Sequence, residues 1–507
     1  MNKPAAFLFA LSLLILSIAY PQELQSWNED TIFIISELEF EVIGHTRESA
    51  LIDSGEFIIG EEIRGRANFE QYIRDKTQLL VNQRVLQENV EITYTIAEPL
   101  PTGAYPVTLR IWVEDSWNFF IFPVPRYNTN DGLDLILRIR DFNFLGTMNP
   151  LRIDLSYRYD QYRRHSFNLR FNVNHPFRLF DRNWNLGHNT LFGFRPQMDD
   201  PLYLESTTGI SMQVPFRATT FTFGFEESFN LNKENLSRHW ETFGETQSGF
   251  FMASRMFALW EIPTPLTLSR FGQLTYTPSI SATINHRFPA WPLESIHRGP
   301  FLDFGHSLGF ERINWYGNFR QGISAFLENS NRLDFFDMQG RENLSSSITI
   351  TGIKHFIFTD FFAISARLQY RYWFYHNPAF HDLAGESIRG IQDNALSADY
   401  MLSLNVDLPF RLPMFAPSRW FNSERLRVFD IEFHLVPIID MALYNDPRTE
   451  TSFSPENIVI GSGLELMVFP AFIRNLYFRV SAARTFRGLT LPRIGNYEIA
   501  FMMGHFF

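Results

Sequence analysis

Between Asp399 and Leu408 the chain alternates almost without a break. Tyr400, Leu402, Leu404, Val406 and Leu408 fall on one side; Asp399, Ser403, Asn405 and Asp407 fall on the other. A period of two specifies an extended strand, because successive side chains leave its backbone on opposite faces. One face purely apolar and the other polar is the pattern of a strand standing between lipid and a wet interior. The alternation returns at LDLILRIR from Leu133, LRIDLSYRYD from Leu151 and FNLRFNVN from Phe167, with odd positions apolar. It returns again in VFDIEFHLVPIIDMA, Val428 to Ala442. There Phe429, Ile431, Phe433, Leu435, Ile439 and Met441 make the apolar face, and Asp430, Glu432, His434 and Asp440 fall opposite.

Composition points the same way. Phe accounts for 54 of 507 residues and aromatics for 16%, yet the mean hydropathy is only −0.14. Membrane helices would make the chain far more hydrophobic, and no internal apolar run approaches the roughly 18 residues a spanning helix needs. A barrel whose strands turn half their residues to lipid and half to water reconciles the two values. Cysteine is absent, so a disulfide framework and thiolate metal ligation are excluded. The formal charge of −11 argues against a nucleic-acid partner, which would call for a basic face.

Taken in order, residues 1–19 carry Lys3, an apolar run from Ala5 to Leu16 and the small-x-small exit Ser17-Ile18-Ala19, which reads as a secretory signal cleaved after Ala19. Residues 31–116 have a mixed α/β texture. FIISELEFEV is a strand, a polar stretch from Arg47 to Asp53 is helical, and Asn68 to Leu86 is a helix with an apolar stripe. VEITYTI and YPVTLRIWVED are two strands joined by a turn between Pro99 and Gly103. Residues 117–130, WNFFIFPVPRYNTN, read as an aromatic, Pro-rich junction at the membrane–water interface. A transmembrane β-barrel is expected over 131–507, its first strand near Gly132 to Phe142, with short turns at one end and long loops at the other. The chain shows no G-x-S-x-G, no Walker loop and no H-E-x-x-H. It is read as non-enzymatic, with neither a cofactor nor a metal.

Three C-terminal segments carry a family resemblance: Ser387-Ile388-Arg389-Gly390-Ile391 followed by the N-x-D-L-P of Asn405 to Pro409; Ile438-Ile439-Asp440-Met441-Ala442; and the terminal F-x-h-G-x-x-F of Phe501 to Phe507. With the β-α-α-β-β order before them, they resemble the outer-membrane protein-assembly and bacterial surface antigen superfamily, in which POTRA domains precede a C-terminal barrel. The resemblance implies about sixteen antiparallel strands, although fourteen or eighteen fit the length as well, and a single POTRA-like periplasmic domain. It implies that the 387–391 loop folds into the lumen and that Arg389 and Gly390 are locked to the wall at Asp440. Ile391 stands where the family carries an aromatic, and Ala442 where it carries glycine. The terminal strand, with Phe501, Gly504 and Phe507, would form a lateral seam with the first.

The function so implied is insertion of unfolded outer-membrane protein clients into outer-membrane lipid, taken up by the POTRA domain through strand addition. Periplasmic chaperones or accessory lipoproteins would be further partners. Two other readings stay open: a two-partner-type secretion translocator, and a passive channel or surface antigen.

Overall fold

The structure, a computed structural model, describes residues 29–128, 132–160, 163–197, 201–231, 250–268, 272–286, 300–335, 344–375, 387–391, 396, 398–445, 454–487 and 493–503. The expected signal, with Gly504, Phe507 and most of the long connections, lies outside the described residues.

The chain divides into two units, the first made of the described residues of Met1–Val42 with Leu51–Leu80 and Asn89–Val113. Its elements are β1 (Ile32–Ile43), α1 (Glu48–Gly55), β2 (Glu62–Arg64), α2 (Arg66–Asn82), β3 (Glu91–Ile96) and β4 (Tyr105–Glu114). The strands form one sheet in the order β2-β1-β4-β3. Alternation buries Phe33 and Ile35 from β1 and Val107, Leu109, Ile111 and Val113 from β4. The stripe of α2 brings Phe69 and Leu80 down onto that face, where Phe69 stacks on Phe33 with ring centroids 4.7 Å apart. The helix stops at Asn82, four residues before the end expected from sequence, and Leu86 instead bridges to Asp115 as extended backbone.

Segments 43–50, 81–88 and 114–507 make the second unit, a closed barrel. Its strands begin with β5 (Phe119–Asn128), β6 (Gly132–Asp141), β7 (Leu151–Tyr159), β8 (His165–Leu179), β9 (Arg182–Phe194) and β10 (Leu202–Phe216). They continue with β11 (Thr219–Leu231), β12 (Phe250–Leu268), β13 (Gly272–His286), β14 (Phe301–Tyr316), β15 (Phe319–Asp334), β16 (Leu344–Thr359) and β17 (Phe362–Tyr375). The last are β18 (Tyr400–Asp407), β19 (Phe410–Arg411), β20 (Ile431–Tyr444), β21 (Ile458–Pro470), β22 (Phe478–Arg487) and β23 (Arg493–Met503). Both β18 and β19 pair with β17 and with β20, so they form one stave interrupted at Leu408-Pro409. The ring therefore has eighteen staves, each antiparallel to its neighbours, and not about sixteen.

One of the additional staves is the expected junction. Residues 119–128 are β5, and their side chains do alternate: Phe119, Ile121 and Tyr127 are exposed, whereas Phe120 and Val124 are buried. Pro123 and Pro125 disguised the strand, since a residue without an N–H is rarely found inside a ladder. The barrel accordingly starts before Gly132. Beyond it the odd positions Leu135, Leu137 and Leu155 form the exposed outer face, and the even positions Asp134, Ile136 and Arg140 are buried on the inner one.

Candidate functional site: an arginine hub inside the barrel

The inner wall from β18 to β23 presents carboxylates at regular intervals because alternation puts every second residue there. On β20, Ile439 and Met441 are exposed while His434, Ile438, Asp440 and Ala442 are buried, and the register runs unbroken through Pro437, opposite Leu464. On β18 the inward residues are Ser403, Asn405 and Asp407; on β21 they include Gly461, Gly463 and Glu465.

The segment Ser387-Ile388-Arg389-Gly390-Ile391 is buried throughout and lies against this wall. Arg389 is only 4% exposed and uses its whole fork. Its Nε donates to Asp440 Oδ2 at 2.9 Å and its Nη2 to Asp440 Oδ1 at 2.7 Å, a bidentate pair. Nη2 also donates to Asp407 Oδ1 at 2.6 Å, and Nη1 to Glu465 Oε1 at 3.0 Å. The backbone N–H of Arg389 adds a bond to Asp440 Oδ2 at 2.9 Å. Burial works against a charge here. The Asp440 hydrogen bonds and the Asp407, Asp440 and Glu465 charges outweigh it and hold the guanidinium pKa above its ordinary value.

Gly390 follows at φ +89°, and a Cβ there would come within 2.8 Å of the Arg484 backbone nitrogen, so the tip has room only for glycine. Its N–H donates to Glu498 Oε2 on β23 at 2.9 Å, and its carbonyl accepts from Thr485 Oγ1 on β22 at 3.1 Å. Gly461 plays the complementary part on the wall, where a Cβ would lie 2.4 Å from the Arg389 carbonyl oxygen. Asn405 donates to the Ser387 carbonyl at 2.9 Å and accepts two bonds from Arg367. Ile388 and Ile391 pack into a cluster with Leu396, Met401, Ala442 and Val459. The aliphatic Ile391 and the small Ala442 thus meet in one apolar nest.

Arg389, Gly390 and Asp440 are therefore brought together. Sequence reasoning placed Asp407 on the polar face without a role and missed Glu465 and Glu498. The available signal for Glu465 was its place two residues beyond Gly461-x-Gly463 in an alternating strand, where missing side chains leave space for an incoming loop.

The terminal strand closes the ring on β5 rather than on the Gly132–Asp141 strand. Among the described residues, Ala500 pairs with Asn128 and Phe501 with Tyr127. Phe142 N–H donates to Asn118 O at 2.9 Å in register with the β5–β6 ladder, so even residues of β5 turn their polar backbone groups to β6. Odd residues turn theirs to β23, and two of those, Pro123 and Pro125, have no N–H to give.

No protein-family model and no curated protein matches the sequence. Among solved structures, the chain is similar to CdiB from Acinetobacter baumannii at 14% identity and TM-score 0.47, over 93% of this chain and 74% of that one. It is also similar to BamA from Haemophilus ducreyi lacking POTRA domains 1–3 (12%, TM-score 0.39, 93% and 85% covered). CdiB from Escherichia coli matches at 10% and TM-score 0.42, with 99% of both chains covered.

Proposed function

We propose that this chain is an outer-membrane barrel that inserts unfolded outer-membrane protein clients into lipid through the β5–β23 seam. The closure of the ring on β5, a strand with prolines at two positions that face the seam, supports the reading most directly. A client strand can bond to backbone edges that the two prolines leave unmatched, and this lowers the barrier to lipid, where each unpaired group costs several kcal/mol. The α+β unit is read as a single POTRA-like periplasmic domain whose β3 edge would take up extended client by strand addition. Chaperones or accessory lipoproteins would supply that client. A secretion translocator is the second reading, favoured by the Arg389 loop on the lumen wall, whose withdrawal would clear a path through the barrel.

Stapling the seam separates these readings. The chain has no cysteine, so Asn128→Cys with Ala500→Cys introduces the only two thiols, at directly opposed positions. The oxidised protein, reconstituted in vesicles, is expected to stop inserting an unfolded eight-stranded barrel client and to recover on reduction. Equal insertion in both states would refute the seam mechanism. Passage of one soluble partner through the stapled barrel would favour the translocator, and neither activity in the unstapled protein a passive channel or surface antigen.

A further inference from the structure

Away from the hub, the inner wall of β6 to β9 carries an excess of arginine. Arg138, Asp154 and Arg170 lie directly opposite one another across β6, β7 and β8. One rung along, Arg140, Arg152, Asn172 and Asn189 are opposed across β6 to β9. Four guanidiniums thus share two adjacent rungs with one carboxylate. Asp154 is occupied by Arg138 at 3.2 Å and Arg140 at 2.8 Å. Arg152 and Arg170 are exposed to the lumen and have neither a hydrogen bond nor an ion pair with any described residue. Like charges directly opposed, as Arg140 and Arg152 are, destabilise a sheet unless something of opposite sign sits between them.

These residues line a recess of about 710 Å³, to which Asn172 and Asn189 add amide donors and Glu205 a second carboxylate. Four cations against two anions leave the lining net positive. The acidic side chains of the opposite wall, Asp407, Asp440 and Glu465, are taken by Arg389.

We infer that this recess binds a water-soluble phosphate-bearing anion, held between the Arg152 and Arg170 forks with Arg140 beside them. Planar guanidiniums match tetrahedral oxyanions in bidentate fashion, and a multiply charged phosphate supplies the negative charge the grid lacks. The inward face excludes a bilayer headgroup, so the ligand comes from solution.

The probe is inorganic tripolyphosphate, titrated calorimetrically into the detergent-solubilised full chain. Saturable binding is expected, weakened at least about tenfold by Arg152→Gln with Arg170→Gln, since each removes a charge-assisted contact. Unliganded thermal unfolding should not fall, because neither residue holds another part of the protein and Arg152→Gln removes a like charge opposite Arg140. Arg182→Gln, at the exposed first residue of β9, should bind as the parent does. If the double variant does not fold, the two single variants decide, each expected to weaken binding about threefold. Absence of binding by the parent, equal binding by the variants, or equal loss in Arg182→Gln would overturn the assignment.

Discussion

Arg389 is surrounded by more negative charge than one guanidinium neutralises: Asp440, Asp407 and Glu465 all lie within 3.0 Å, and Arg479 approaches Glu465 only at 3.7 Å. Removing the cation would strand buried carboxylates with one another. Arg389→Ala should therefore destabilise the barrel by about 3–5 kcal/mol, read as an earlier urea unfolding midpoint. Arg389→Lys keeps the charge but cannot span three carboxylates with a planar fork, so a smaller loss of about 1–3 kcal/mol is expected. Equal stability in all three proteins would mean that the hub holds nothing. Both ends of its central pair were legible in the sequence, for different reasons. The resemblance of the 387–391 loop to the assembly superfamily pointed to Arg389, and parity along β20 turned Asp440 inward. Glu465 was legible only as a residue beside the Gly461-x-Gly463 gap, because nothing local in the sequence names a partner 76 residues away.

The strand β5 shows how an element can be hidden by the residues that suit it to its place. Its alternation is intact, but proline at two outward positions reads locally as a break. Only the ladder phase shows that both prolines face the side on which the ring closes with β23. Restoring those donors tests the point. In Pro123→Val with Pro125→Val, the new amides face the seam, with residue 125 in register with Met503 two places beyond Phe501. Each bond formed should add about 1 kcal/mol, and slower amide exchange along β23 would report it. Client insertion should slow in parallel. Faster or unchanged insertion, with exchange slowed, would separate seam strength from activity.

Across the whole cylinder, strand number and exterior chemistry were legible to different degrees. Length was compatible with fourteen, sixteen or eighteen staves, because hairpins of unequal loop length share residues differently, and only closure of the ring decides. Face was set by parity, yet polar side chains interrupt the apolar exterior, among them a row from β9 to β12. On β11, Phe223, Phe225 and Phe229 are exposed, and Glu227 shares their parity. It lies directly opposite Thr208 on β10 and Ser254 on β12, while His188 on β9 lies opposite Thr208. The row is joined by side-chain bonds: His188 Nδ1 meets Thr208 Oγ1 at 2.8 Å, and Ser254 Oγ donates to Glu227 Oε2 at 2.6 Å. His286 Nε2 is 2.7 Å from the same Ser254 oxygen. Flanked by Phe225 and Phe229, the Glu227 carboxyl would meet hydrocarbon in a lipid-embedded barrel, where an acidic side chain is unfavourable. Glu227→Leu removes that cost, and Ser254 retains His286, so the reconstituted barrel should gain about 1 kcal/mol in urea unfolding from phosphatidylcholine vesicles. Glu227→Lys should lose about 2–4 kcal/mol if the position is near mid-membrane and less toward the interface. A Leu variant no more stable than the parent, with a Lys variant unharmed, would mean that lipid does not cover this row.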